Sequence, residues 1–389
     1  MARSARRSRH RRDLAGRRDV SNAPQNLERQ HIISLLAGDA STLQPSVYDR
    51  FEAWWYGAAA NTRRAFAADL RGWQAFCVSR LLPPAPASPL LVRDYCRHLH
   101  RQGRKAATIA RHLASIAVLH AVMDCSPCPT RDPLVRSELR GIRKEQAISG
   151  RGATRQAKAL RRKGDVADIF ADDPEPLSIL GLLQTLPASP AGVRDRVILQ
   201  LGADLGRRRS EYVALNVGDI VPAADGSGVV LIRRSKTDQD GEGQLKYVSP
   251  ESMAAIQAWL TLREDLAGVS PLPPDAPLLT SIDRHGHVGE RLSGDGFRHV
   301  VRAIVARGLR AQTPRADEAH QATTLSGISG HSFRVGLAQD LTAAGAEIPA
   351  ICQAADWRSP EMPVRYARAL SARSSAVATM VRKLKAQPS

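Results

Sequence analysis

Apolar residues recur at helical intervals along nearly all of this 389-residue chain, and a single stretch alternates convincingly as a pair of strands should. That patterning leaves few folds open. Val47, Phe51, Trp54 and Trp55 mark one helix face, and Phe66, Leu70, Trp73 and Phe76–Cys77 mark the next. Asn61-Thr62 reads as the cap of that second helix. The run Leu82-Pro83-Pro84-Ala85-Pro86-Ala87-Ser88-Pro89 has to be a loop, because proline lacks an amide donor and breaks helices. Val92, Tyr95, Cys96 and Leu99 face inward from a third helix. Thr108 opens a fourth, with Ile109, Leu113, Ile116 and Leu119, and Cys125-Ser126-Pro127-Cys128-Pro129 stops it. A short fifth helix covers about Leu134 to Arg143. Residues 45–144 therefore form one compact all-α domain.

Residues 145–170 are rich in Gly, Arg, Lys and Ala and read as a linker running into a second domain at 171–389. There a helix from Val193 carries Val197, Ile198, Leu201 and Leu205, then meets Gly206-Arg207-Arg208-Arg209-Ser210-Glu211. Val229 to Arg233 is β-rich, Asp238 to Gly243 is turn chemistry, and Leu245 to Val248 returns as the partner strand. Ser252 to Leu262 and Phe297 to Ala306 are helical, and 307–328 reads as a long polar loop. The expected fold is mainly α: an all-α N-terminal domain, then a mixed α+β C-terminal domain with a small antiparallel sheet.

The net charge of +18 and pI near 10.5 point to a polyanionic partner, most simply nucleic acid. Eight Arg against one Asp stand in the first eighteen residues, and an excess of about 11 remains without them. Residues 1–44 read as a basic, disordered arm, set above an organellar transit peptide, which the same composition would imitate. A flexible basic connection between two basic domains suits a clamp around DNA. Five scattered cysteines indicate a reducing compartment rather than a disulfide framework. No apolar run reaches membrane-spanning length, and no hydrophobic signal core follows the basic start. Cys125-x-x-Cys128 has no second pair and contains Pro127, so a loop outweighs zinc; the His285-Gly286-His287 loop is equally weak as a metal site.

The chemistry concentrates in Gly330 to Tyr366. His331 and Arg334 stand three apart, on one face of a helix whose apolar residues are Val335, Leu337, Ala338 and Leu341. A proton carrier beside a cation suits an anionic reacting centre, and Tyr366 further on suits a nucleophile.

Together these blocks resemble the tyrosine recombinases of the phage integrase family. Gly206-Arg207-Arg208-Arg209-Ser210-Glu211 is similar to the family's first Arg motif, and Ser235-Lys236-Thr237-Asp238 to its hairpin lysine. Gly330-His331-Ser332-Phe333-Arg334 matches its His-x-x-Arg box, and Trp357 and Tyr366 its final pair. Ile142-Arg143-Lys144-Glu145 and the Trp at 357 bring it nearest to Cre-like site-specific recombinases. The resemblance implies a SAM-like core-binding domain followed by a catalytic domain.

It further implies that Tyr366 attacks a DNA phosphodiester, leaving a 3′-phosphotyrosine and a 5′-hydroxyl. His331 is then the general base, Arg208 and Arg334 the clamp on the non-bridging oxygens, and Trp357 a further N–H donor. Lys236 is the acid for the leaving oxygen, and Glu211 orients a neighbouring group. No metal, nucleotide triphosphate or other cofactor is implied. Arg207 and Arg209 are then surface or DNA contacts. The implied partner is duplex DNA with an inverted-repeat site, bound by a dimer and synapsed as a tetramer in the cytoplasm. Ala369 to Lys385 form a helix donated to a neighbouring protomer. A type IB topoisomerase-like or telomere-resolving enzyme and a catalytically idle DNA-binding protein are the alternatives. Against Tyr366, the rivals Tyr212 and Tyr247 lie in the Arg motif and hairpin, and Tyr48, Tyr56 and Tyr95 in the helical domain.

Overall fold

The computed structural model describes residues 23–38, 43–151, 156–164, 177–233, 243–312, 318–368, 370 and 380–381. The chain divides into two compact units, Met1–Thr154 and Arg155–Ser389.

The first unit is helical throughout: α1 Ala23–Ala37, α2 Pro45–Gly57, α3 Ala60–Val78, α4 Pro89–Arg101, α5 Ala106–Val122 and α6 Pro133–Ile148. Two helix starts show why. Ser88 Oγ accepts from the Leu91 amide with Pro89 at the first helical position, and Asp132 accepts from Leu134 with Pro133 in the same role. The large rings of Phe51, Trp73 and Tyr95 fill the core with Ile109 and Ile116. The proline run is strapped to it by Trp73 Nε1, which donates to the Pro84 carbonyl at 2.9 Å. Three expectations are corrected. α3 starts at Ala60, and Asn61 takes a hydrogen bond from Arg64 instead of capping the helix. α6 runs to Ile148, so the first residues of the expected linker are helical.

The third correction concerns the arm, since 23–37 is helix. Ile32, Leu35 and Leu36 recur at helical spacing and are buried, inside an otherwise polar stretch that hides the stripe. Arg29 also pairs with Glu52 of α2 at 2.6 Å. Residues 1–22 lie outside the described set. Ile32 is 0% exposed, so Ile32→Ala should lower the unfolding free energy of the helical unit by about 2–5 kcal/mol in denaturant melts. An arm without a packing role would give no change.

The second unit is built around α8 (Pro190–Leu205), whose Val197, Ile198, Leu199 and Leu201 are buried in the core. α10 (Pro250–Ala267) and α13 (Ser332–Ala343) pack against it. The remaining helices are α7 Ile179–Leu183, α9 Arg209–Ala214, α11 Gly294–Gln312, α12 Glu318–Gly327, α14 Ile348–Ala355 and α15 Glu361–Tyr366. The expected hairpin is present as β2 (Gly228–Ile232) and β3 (Gln244–Val248), pairing Val229 with Tyr247 and Leu231 with Leu245. β1 (Ile220–Pro222) adds a third antiparallel strand, and β4 (Thr280–Ile282) with β5 (Val288–Arg291) forms a second sheet. These strands are three or four residues long, too short for an alternating pattern to register. The architecture is thus mainly helical, with small antiparallel sheets confined to the second unit among the described residues.

Two further expectations change. The expected polar loop at 307–328 is largely helix: α11 carries Val301, Ile304, Val305 and Leu309 inward, and α12 follows. Part of the expected linker belongs to the second core. Leu160 is 2% exposed there, its amide donates to the Ser332 carbonyl at 3.0 Å, and that of Lys158 donates to Gly327 at 2.9 Å. This close approach requires a glycine: a Cβ on Gly336 would sit 1.9 Å from the Leu160 carbonyl oxygen. Most of the expected C-terminal helix, 369–385, lies outside the described residues, apart from 370, 380 and 381. No described helix is long and apolar enough to cross a membrane.

Candidate active site

α8 ends at Gly206 in the left-handed region, φ 50°, where glycine is unstrained. The chain then runs extended through Arg208, which stands at the N-cap of α9. Glu211, three residues on and buried, reaches back to it. One carboxylate oxygen takes Arg208 Nη1 at 2.9 Å and the other the Arg208 amide at 3.3 Å. Glu211 is thus a capping-box acid that also fixes the guanidinium. Tyr212 is buried next to it, its hydroxyl accepting from the Arg207 amide at 2.9 Å and its ring stacked 5.2 Å from Phe297. That burial pushes the Tyr212 phenol well above its usual range. Tyr247 is exposed on β3, and Tyr48, Tyr56 and Tyr95 belong to the other unit.

His331 stands at the N-cap of α13 and Arg334 in its first turn. Arg334 is 2% exposed. Its Nη1 donates to the Gly206 carbonyl at 3.3 Å and its Nη2 to the Asp356 carbonyl at 3.4 Å. Its guanidinium carbon lies 4.3 Å from the Trp357 ring centroid, and Trp357 lies 5.8 Å, centroid to centroid, from the Tyr366 ring. The Tyr366 carbonyl accepts from Gln339 at 3.0 Å and from Gln156 at 3.3 Å, which ties α15 to α13. Arg209 lies along the His box: a Cβ on Gly330 would come within 3.0 Å of its side chain.

Arg334, Trp357 and Tyr366 therefore form one run of contacts, and the Arg208–Glu211 pair and His331 lie within electrostatic reach of Arg334. Lys236 falls outside the described residues. The other hairpin lysine, Lys246, is committed elsewhere, donating to the Gln353 carbonyl at 2.7 Å. Arg207 departs from expectation. The resemblance implies a surface or DNA contact, yet Arg207 is 0% exposed and faces Glu211, Gln244 and Asp356. Spacing alone could not tell it from Arg208, since every residue of the three-Arg run is polar; only the turn after Gly206 sends one inward and leaves the next on the surface side.

The electrostatics suit an anionic ligand. Burial, then the charge of Arg208, holds Arg334 down at about 10. His331 is exposed on one side but crowded by the cluster on the other. That desolvation, then Arg334, Arg208 and Arg209, lowers its pKa below the ordinary value. A phosphate entering between these groups would relieve the repulsion.

Comparison with known proteins identifies the family. The profile described as the phage integrase family matches residues 176–373, more than half of the chain. The chain belongs to the phage integrase family. Its SAM-like N-terminal domain profile matches 56–123. The recombinase Cre of Escherichia phage P1 is 26% identical over 311 residues, covering 80% of this chain and 84% of Cre. Tyrosine recombinase XerD of Rhizobium meliloti is 27% identical over 300 residues, 76% and 80% of the two chains. A Tn1549 transposon integrase, solved with transposon right end DNA, shares the fold at a TM-score of 0.53 and 16% identity, over 85% and 99% of the two chains. This integrase-family protein is an enzyme of site-specific DNA recombination, of the tyrosine type.

As the expected base, His331 would have to be neutral to accept a proton, and its lowered pKa keeps it neutral below the ordinary value of 6.5. Cleavage by the integrase should therefore hold as pH falls through 6.5 and decline only beneath it. Arg209→Gln removes one of the nearby cations, so it should raise the His331 pKa and move the acid limb to higher pH. Single-turnover rates at subsaturating DNA, which report the free enzyme, check this; an unmoved limb would detach Arg209 from His331.

Proposed function

We propose that this enzyme cuts and rejoins duplex DNA at an inverted-repeat site, one strand of each partner at a time, through a Holliday junction. Tyr366 Oη attacks the phosphorus, and its proton passes to His331. The P–O5′ bond breaks, and Lys236 supplies the proton that the leaving 5′-oxygen needs. The product is a 3′-phosphotyrosine and a free 5′-hydroxyl. A phenol with a pKa of about 10 needs such a base at neutral pH. Arg208 and Arg334 hold the non-bridging oxygens as charge grows on them, and the Trp357 indole N–H donates to the same group. The bond energy stays in the phosphotyrosine, so the 5′-hydroxyl of a second duplex can reverse the step without ATP. Guanidinium charge supplies the electrophilic assistance that other phosphoryl-transfer enzymes take from metal ions.

The observation that carries this reading is the continuous run from Arg334 through Trp357 to Tyr366, set against the Arg208–Glu211 pair. In the full reaction a dimer occupies each site and four protomers form the synapse, with residues 369–385 passed to a neighbour. Free cysteines among the described residues fit a bacterial cytoplasm, the compartment we assign.

The test uses nicked duplexes of randomised sequence, in which the cleaved fragment diffuses away and traps the covalent complex. Wild type should give a protein–DNA band on a denaturing gel, and the captured DNA identifies the site. Tyr366→Phe should abolish the band while retaining DNA binding in a mobility-shift assay. Arg334→Ala should slow adduct formation by about 100-fold or more. A covalent adduct from Tyr366→Phe would remove the nucleophile assignment, and no adduct from wild type would remove the strand-transfer reading.

A further inference from the structure

Arg207 is the least expected residue of the cluster. Fully buried, it cannot reach a DNA phosphate from where it stands, and a buried guanidinium is costly unless it is compensated. Its compensation comes from segments far apart in sequence. Nη2 donates to Gln244 Oε1 at 3.1 Å. Nη1 lies 3.6 Å from Asp356 Oδ2, and Nε lies 3.9 Å from Glu211 Oε2. Gln244 Nε2 closes the triangle by donating to Asp356 Oδ1 at 3.0 Å.

Each corner carries part of the reacting machinery. Arg207 precedes Arg208 in the chain. Gln244 is the first residue of β3, where the chain returns from the segment that contains Lys236. Asp356 stands in the left-handed region, φ 56°, immediately before Trp357, and its carbonyl accepts from Arg334. A second tie runs parallel, from Lys246 of β3 to the Gln353 carbonyl of α14. The Arg207–Gln244 contact is within hydrogen-bond range, whereas the approach to Asp356 is longer. Nε and Nη1 have no hydrogen-bond partner among the described residues. Arg207 therefore holds the foot of the hairpin by a hydrogen bond and the Trp357 turn by an ion pair.

We propose that Arg207 is a positioning residue that anchors the β2–β3 hairpin, through Gln244, to the Arg motif and the Asp356–Trp357 turn, so that Lys236 is delivered to the leaving oxygen. It touches no reacting atom. Its action is on the proton that must reach the 5′-oxygen as the P–O5′ bond breaks, while the attack by Tyr366 and the clamp of Arg208 and Arg334 are left in place. The inference rests on the assignment of Lys236 as the acid.

That mechanism has a signature that mere loss of packing lacks. A 5′-bridging sulfur leaves as a thiolate and needs no proton, so a defect confined to acid delivery disappears on the sulfur substrate. The experiment compares nicked duplexes of the captured site with oxygen or sulfur at the bridging position. Arg207→Met should cleave the oxygen substrate about 100-fold more slowly than wild type, the scale of a lost general acid, and the sulfur substrate at nearly the wild-type rate. Arg207→Lys should recover part of the loss. Gln244→Leu breaks the same tie from the hairpin side, with the same selectivity expected, and serves if the buried Arg207 variants fail to fold. An equal defect on both substrates, or no defect, overturns the proposal. Lys236→Ala on the same pair separates the two ideas. If sulfur does not rescue it, the acid assignment fails; if sulfur rescues Lys236→Ala but neither Arg207→Met nor Gln244→Leu, only the role of Arg207 fails.

Discussion

Glu211 holding Arg208 is the contact on which the rest of the site depends. Three guanidinium groups, those of Arg207, Arg208 and Arg334, converge near the start of α9 and repel one another. The buried Glu211 carboxylate binds Arg208 through both oxygens and lies within reach of Arg207, while Asp356 faces Arg207 from the far side. Two acids thus keep several cations assembled until a phosphate arrives. Cations held in place by such pairs need little reorganisation when charge develops on the phosphoryl oxygens.

That assembly is held by backbone as much as by side chains. α13 lies close to α8 because Gly202 has no side chain: a Cβ there would come within 2.4 Å of the Phe333 ring. The segment at Leu160 fits against Gly336 for the same reason. Arg161 and the Arg162 amide then bind Asp340 on α13 at 2.8 Å each. The His box is clamped from two sides, so His331 and Arg334 keep their places relative to the Arg motif although 122 residues lie between Arg208 and His331.

Much of this was legible beforehand. The helices with a strong apolar stripe and the Val229–Val248 hairpin stand in the residues themselves, and the site residues stood out through the resemblance that their spacing carries. What was hidden has physical causes. Ile32, Leu35 and Leu36 sit in a polar, basic stretch, where composition outweighed three well-placed apolar residues. β1, β4 and β5 are shorter than the alternation needed to see a strand. Beyond the expected helix at 297–306, the last turns of α11 and the helix at 318–327 carry enough Arg, Gln, Thr and Ala to look like loop. Arg207 was misread because direction at a turn is set by the left-handed residue before it and by Tyr212 beneath it, and neither fact belongs to Arg207 itself.

Gly206 is where these strands of the structure meet. It terminates α8 with a positive φ, offers its carbonyl to Arg334, and leaves no room for a Cβ, which would come within 2.6 Å of Leu337 on α13. A side chain there disturbs the Arg motif and the His box in one stroke. In a genetic screen for loss of recombination, this position would rank with the arginines themselves, although none of its atoms takes part in the chemistry. Sensitivity to replacement and participation in bond-making are separate properties, and Gly206 has only the first.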